Sequence, residues 1–524
     1  LSWTAISDDL TTDTPEHQEF GGAPITNEGT GVEVYNTVFA LTVSPHDAQT
    51  LWAGTDDGRL WITRDEGDAW REITPDDLPE WGTVNRIEVS PHRAGTAYVA
   101  VHRYRLDDWR PYVFKTTDYG DSWRLLTDGE NGIPADHPTR VVREDPDREG
   151  LLYAGTEFGL FVSFDDGDHW QPLQQNLPRT PVTDLKVHRQ DLVVATQGRS
   201  FWILDDLTPL HQLTDAVAEA DHHLFTPRAA YLVDPSGGDD EHAPEGPPRG
   251  AQFFYTFAET PEDEVTLEVL DAQNAVIRSF TSDSAKAEEN DAPVLPVEAG
   301  MNRFGWNLRT AGVAAPDEAV VWGYTGGVKV VPGTYTVRLT VGGEQQTRSF
   351  EVRKDPRLED VTQDDLVAQH EMGLALRDTL NSVYGAIRRL RSVREQVRSV
   401  AKYAAEAGLG EDIGQQADSV AQKLSDLERK LIQTRAESFQ DVINYPPRLD
   451  NQFAYLYGYV AGPYGRPTEG ARTRFSDLNA TWTELRGRLQ TVLDTEVARF
   501  NRMVQQAGGT QPVLVPAAPD ADAP

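Results

Sequence analysis

Thr63-Arg64-Asp65-Glu66-Gly67-Asp68-Ala69-Trp70 returns as Thr116-Thr117-Asp118-Tyr119-Gly120-Asp121-Ser122-Trp123, and again as Ser163-Phe164-Asp165-Asp166-Gly167-Asp168-His169-Trp170. The shared pattern is Ser/Thr-x-Asp-x-Gly-x-x-Trp. Asp65 and Asp118 lie 53 positions apart, Asp118 and Asp165 47. A supersecondary unit repeating at this period is the sequence signature of a propeller blade. Each residue has a turn-forming reason to be there. The Asp carboxylate accepts backbone N–H groups and tolerates turn geometry. Gly enters the left-handed region that other residues find costly. Trp opens the next strand and covers the turn. The motif therefore reads as a structural fold-back rather than as a carboxylate active site or a calcium loop.

The surroundings repeat too. An Ala-Gly-Thr strand precedes the motif at Leu51-Trp52-Ala53-Gly54-Thr55 and Leu152-Tyr153-Ala154-Gly155-Thr156, and a strand ends in Ser-Pro-His at Leu41–His46 and Ile87–His92. Each unit reads as four strands, the composition of one blade. Asp191–Thr196 and Phe201–Asp206 form a fourth unit without the motif, read as the last blade. Ser2-Trp3-Thr4-Ala5-Ile6 matches the end of a motif (compare Ala69-Trp70-Arg71-Glu72-Ile73). The expectation is a chain that starts inside a blade: a C-terminal portion or cleavage product. Its missing blades would lie on the same precursor or on another chain.

These repeats resemble the Asp-box of bacterial neuraminidase repeat and sortilin-like propellers. The resemblance is closer to large exported bacterial proteins catalogued as glycosyl hydrolases. Gly22–Thr26, Gly198–Asp206, Pro332–Val337 and Asn444–Leu449 fit that pattern. It implies blades, then an immunoglobulin-like module, then a helical region. The residues agree: the chain reads as multidomain, mainly β and then α. Residues 1–206 are a partial propeller, and 207–250 are linker and acidic Pro/Gly loop. Residues 251–354 alternate with period two, as in an immunoglobulin-like β-sandwich. Residues 362–506 carry three apolar seams at three-and-four spacing, broken once at Arg394, as in an antiparallel helical bundle. Asn451–Val460 is a shorter fourth helix, and residues 507–524 are a disordered tail.

Charge bounds the partners. The 84 acidic residues against 48 Lys and Arg give a net charge of -36, which excludes a basic nucleic-acid face. The spread of carboxylates fits a salt-adapted bacterium. No apolar run is long enough to span a membrane, and the resemblance places the protein outside the cytoplasm. Without cysteine, thiol catalysis and Cys-ligated metals are excluded. No phosphate loop, dinucleotide motif or zinc helix occurs, so neither metal nor cofactor is expected.

Two groups of residues are candidates for function. Glu157 and Arg199 each follow an Ala-Gly-Thr-type strand, where propeller ligands bind; the blades also offer Arg86, Arg103, Arg105, Arg140 and Arg143, with Tyr104 among them. Tyr445, Arg448, Tyr455 and Tyr457 form an aromatic patch beside a helix. The first reading is an exported propeller that binds a peptide, protein or glycan, with sandwich and helices for docking. The alternative is a sialidase-like glycoside hydrolase with paired carboxylates on the axial face.

Overall fold

The computed structural model describes residues 2–19, 35–233, 246, 248–316, 319–510 and 512–517. Gly22–Thr26 and most of the acidic loop between 234 and 250 lie outside them. The chain forms two compact units, Leu1–Thr214 and Asp215–Pro524.

The first unit is a succession of small antiparallel meanders. Strands β1 (Val38–Val43), β2 (Leu51–Thr55), β3 (Leu60–Thr63) and β4 (Arg71–Glu72) make the first sheet. The second is β5 (Thr83–Val89), β6 (Ala97–Arg103), β7 (Asp108–Thr116) and β8 (Arg124–Leu125). The third is β9 (Thr139–Glu144), β10 (Leu152–Thr156), β11 (Gly159–Ser163) and β12 (Gln171–Pro172). The fourth stops at three strands, β13 (Val182–His188), β14 (Asp191–Thr196) and β15 (Phe201–Leu204). Consecutive four-stranded meanders stacked face to face are the propeller-type arrangement. First strands neighbour one another from sheet to sheet, and their faces fill shared cores such as Val84, Ile87 and Leu60.

The three repeats adopt one turn. Asp65, Asp118 and Asp165 each accept from the backbone N–H four residues on, at 3.0, 2.9 and 2.9 Å. The Thr63, Thr116 and Ser163 hydroxyls accept from the Gly67, Gly120 and Gly167 N–H groups. Each Gly sits at positive φ behind a residue also at positive φ, such as Tyr119 and Gly120. Each turn also clasps the sheet before it. The indole N–H of Trp70 donates to the Ile6 carbonyl (2.8 Å), Trp123 to Ile73 (2.7 Å) and Trp170 to Leu126 (3.3 Å). Ile6 thus holds the place that Ile73 and Leu126 hold.

In the second unit, β16 (His222–Leu224), β18 (Ala251–Phe257) and β21 (Gly300–Trp306) form one sheet. The other runs β17-β23-β22-β19-β20, with β17 (Ala230–Leu232), β19 (Val265–Leu270), β20 (Val276–Thr281), β22 (Gly333–Val341) and β23 (Glu344–Lys354). Phe253, Tyr255 and Phe257 meet Val265, Leu267 and Val269 in one core. β16 and β17 lie where the sequence reads as linker, so the segment 207–250 is corrected. Leu224, Ala230 and Leu232 are too few to read as strands, yet all three are buried in this core.

Helix Gln363–Glu406 opens with a capping box, Thr362 to Asp365, and turns at Gly408 and Gly410, both at positive φ, into Glu411–Leu431. Leu449–Ala461 and Glu469–Thr491 follow, and the latter continues through a π turn to Gln506. The seams meet in a shared core. Arg394 interrupts its seam because, with Arg391 (2.6 Å), it closes on the buried Glu428 carboxylate. The tail expected to be disordered is corrected for its described part. Val513 is buried, and its N–H donates to Asn501 Oδ1 at 2.8 Å.

Candidate functional site

The turns after the second strands, with the segments entering the next first strands, gather one cluster in the first unit. The β6–β7 connection brings Tyr104, the start of β7 brings Trp109, and the β10–β11 turn brings Glu157 and Phe158. His137 and Arg140 come from the entry to β9, and Arg179 from the entry to β13. Ring centroids run His102–Tyr104 4.8 Å, Tyr104–Trp109 6.0 Å, Trp109–Phe158 6.3 Å and Phe158–His137 4.9 Å. Trp109 and Phe158 are nearly parallel, at 15°. Arg140 lies 5.0 Å over Tyr104 and Arg179 4.7 Å over Phe158, within cation–π reach. Trp109 and Leu106 are exposed.

Arg140 is the hub. Its Nε pairs with Glu157, and its Nη2 donates to the Tyr104 hydroxyl at 3.0 Å. Beneath it, His102 is buried, and its Nδ1 has no hydrogen-bond partner among the described residues. Burial, helped by Arg140 and Arg105, pushes this imidazole down to about 3, so it is neutral at any physiological pH.

Of the sequence candidates, Glu157 joins this cluster and Arg199 does not. Arg199 lies in the β14–β15 turn, where its carbonyl accepts from Trp202 Nε1. Nor is the Ala-Gly-Thr strand innermost. The first strands are, and they carry a separate network. Arg143 binds Glu88 (2.6 Å), Asp184 (2.8 Å) and the Leu185 carbonyl (2.6 Å), and Arg86 also pairs with Asp184. This ties the second, third and fourth sheets together at their inner edge. Trp109, Phe158, His137 and Arg179 carried no sequence signal, because each comes from a different segment of the chain.

Asp145, Asp147 and His211 form the one metal-ligand-type group among the described residues. Asp145 is already engaged by Tyr153 and His211, each at 2.9 Å, and by the Asp147 and Arg148 N–H groups.

In the second unit Trp322, Pro447, Asn451, Gln452, Tyr455 and Arg474 help line a cavity of about 300 Å³. The Trp322 and Tyr455 rings are nearly parallel, 6.4 Å apart. The other aromatic-patch candidates divide. Tyr445 lies under Arg435, 4.0 Å from its guanidinium carbon. Arg448 is the residue before helix Leu449–Ala461. Tyr457, expected at the surface, is buried and donates to the Gly326 carbonyl at 2.7 Å. Helical spacing turns Tyr457 inward where Tyr455 and Tyr459 face out.

No protein-family model matches the chain, and no curated relative matches it. Solved structures similar to it are propeller-type proteins at low identity. A GH74 xyloglucanase from Xanthomonas campestris is 16% identical over 32% of this chain and 28% of its own, with a TM-score of 0.26. YCF48 from Cyanidioschyzon merolae is 15% identical over 61% and 85%, TM-score 0.26. The Cps50 (Swd1) β-propeller domain of Myceliophteria thermophila is 13% identical over 47% and 73%, TM-score 0.26. The chain spans little more than a quarter of the xyloglucanase. Likeness at this level decides no activity. Among the described residues no helix is long and apolar enough to cross a membrane.

Proposed function

We propose that the first unit is the ligand-binding part of an exported Asp-box propeller, and that its ligand is a glycan. The observation that carries this is the row Tyr104, Trp109, Phe158, His137, edged by Arg140, Arg179 and Glu157. The exposed Trp109 ring, backed by the half-buried Tyr104, Phe158 and His137, offers a flat apolar face for the C–H face of a sugar, and the guanidinium and carboxylate groups beside it can bind hydroxyls. The arginines gather here although the chain is strongly acidic. Binding fits better than hydrolysis, because Glu157 is committed to Arg140, and the carboxylates beside the ring row, Asp107 and Asp136, are hydrogen-bonded to Trp109 and His137. The two-sheet module is read as an immunoglobulin-like spacer and the helices as a docking element.

The test is affinity electrophoresis of the full chain through gels containing soluble plant and bacterial polysaccharides. At least one should retard it, and Trp109→Ala should abolish the retardation without changing thermal unfolding. Retention by peptides alone would sink the glycan reading. Release of new reducing ends, lost in Glu157→Gln, would favour the hydrolase.

A further inference from the structure

The segments that build the Arg140 cluster have counterparts one sheet earlier. Trp81 enters β5 as His137 enters β9 and Arg179 enters β13. Gly58, at positive φ in the β2–β3 turn, faces the backbone of Trp81 and Gly82, 3.3 Å from where a Cβ would stand. A second group of rings gathers here. His17 lies 4.1 Å and Tyr35 6.2 Å from Trp81, centroid to centroid, and the Tyr35 hydroxyl donates to the Trp81 carbonyl at 3.5 Å. His17 is exposed, and Trp81 and Tyr35 are half-buried.

The two ring groups flank one ladder end. Thr83 pairs with His102 across β5 and β6. Trp81, two residues before Thr83, and Tyr104, two residues after His102, therefore leave the same end of that hairpin. Arg103 Nε donates to the Glu80 carbonyl at 2.8 Å, which joins the neighbour of one ring to the neighbour of the other. Arg105 lies 6.0 Å over the Tyr104 ring. It also reaches the other group: burial raises the Tyr35 hydroxyl, and Arg105 pulls it the opposite way. Trp81 is held at φ 63°, in the left-handed region that a bulky residue adopts only at a cost. Glycine would make the same turn freely; what tryptophan adds is its ring.

We propose that the two ring groups form one extended binding face, and that the ligand is a run of several uncharged sugars laid across both. This rests on the glycan reading of the Arg140 cluster and adds chain length and charge to it. One ring platform engages one sugar. Platforms on neighbouring sheets engage separate units of the same polysaccharide, and the second contact is made at the high effective concentration set by the first. Charge selects the sugars. Arg140 is matched by Glu157 and Arg103 by Asp108 at 3.6 Å, and the protein carries a net charge of -36, so a run of uronic acids would be repelled where neutral hydroxyls are not.

The full chain is run through gels of galactomannan, xylan or mixed-linkage β-glucan, and of pectin or alginate. A neutral polysaccharide should retard it more than either acidic one. Oligosaccharides of two and of eight units from the polysaccharide that retards it most are then titrated by calorimetry. The octamer should bind at least about tenfold tighter than the dimer. Trp81→Gly removes the ring from a backbone that glycine favours, so thermal unfolding should be unchanged. The variant should lose the octamer's advantage and keep the affinity for the dimer, whereas Trp81→Phe, which restores a flat ring, should keep most of the advantage. An octamer no tighter than the dimer, an advantage that survives Trp81→Gly, or a preference for pectin or alginate would overturn the inference while leaving a glycan at Trp109. Retardation by none of the five would remove the glycan reading and this inference together.

Discussion

Asp450 is fully buried at the start of helix Leu449–Ala461, with Oδ2 unpartnered among the described residues. Burial pushes its carboxyl up to about 7, against weaker pulls from its own and the Asn451 N–H groups. The unfolded chain releases this proton near pH 4. Between those values the folded protein holds a proton that the unfolded chain has lost. The stability this contributes is complete below about pH 4 and is lost as pH rises through about 7. At roughly 1.4 kcal/mol for each pH interval of one, the loss between pH 5 and pH 8 is about 3 kcal/mol. Asp450→Asn keeps the shape of the protonated acid and removes the titration. The variant should match the parent below about pH 4, exceed it by about 1.4 kcal/mol at pH 5 and exceed it by about 4 kcal/mol at pH 8. Urea unfolding followed at 222 nm reports the helices, and the other carboxylates cancel between the two proteins. Parallel pH profiles would refute the reasoning, because Asp450 would then titrate alike in folded and unfolded chains.

The clasp makes a graded prediction. Gly120→Ala adds a methyl at positive φ against Ile73, whereas Gly198→Ala adds one at positive φ with open space around it. Denaturant titration should show the first costing about 2–3 kcal/mol and the second about 1 kcal/mol. Equal losses would remove Ile73 from the account. Glu428 is buried between Arg391 and Arg394. Glu428→Gln should cost about 3–5 kcal/mol by leaving two guanidiniums without their anion, while replacing all three by Met or Leu should be near neutral. A mild single variant in the same unfolding assay would contradict this.

Much of the fold was legible because its signals are local. Asp65, Gly67 and Trp70 form their turn within eight residues, so the motif announces a blade wherever it stands. Phe253, Tyr255 and Phe257 declare a half-buried strand by alternation, and Leu376, Leu380, Val383 and Ile387 declare a helix seam. β16 and β17 were not legible, since three-residue strands have no period and owe their place to the sheets they join.

The cluster at Arg140 was half legible. Glu157 announces itself through the Ala-Gly-Thr strand before it, but Trp109, Phe158 and Arg179 belong to three separate segments of the chain. Trp322 and Tyr455 stand more than 130 positions apart and meet only when the bundle forms. By itself the sequence determined the repeat, its turn chemistry and the change from β to α along the chain, all of which depend on neighbours along the chain. Only the tertiary structure decided which turns converge and which tyrosines point inward. Those depend on how sheets and helices stack, and stacking brings together residues that no local pattern relates.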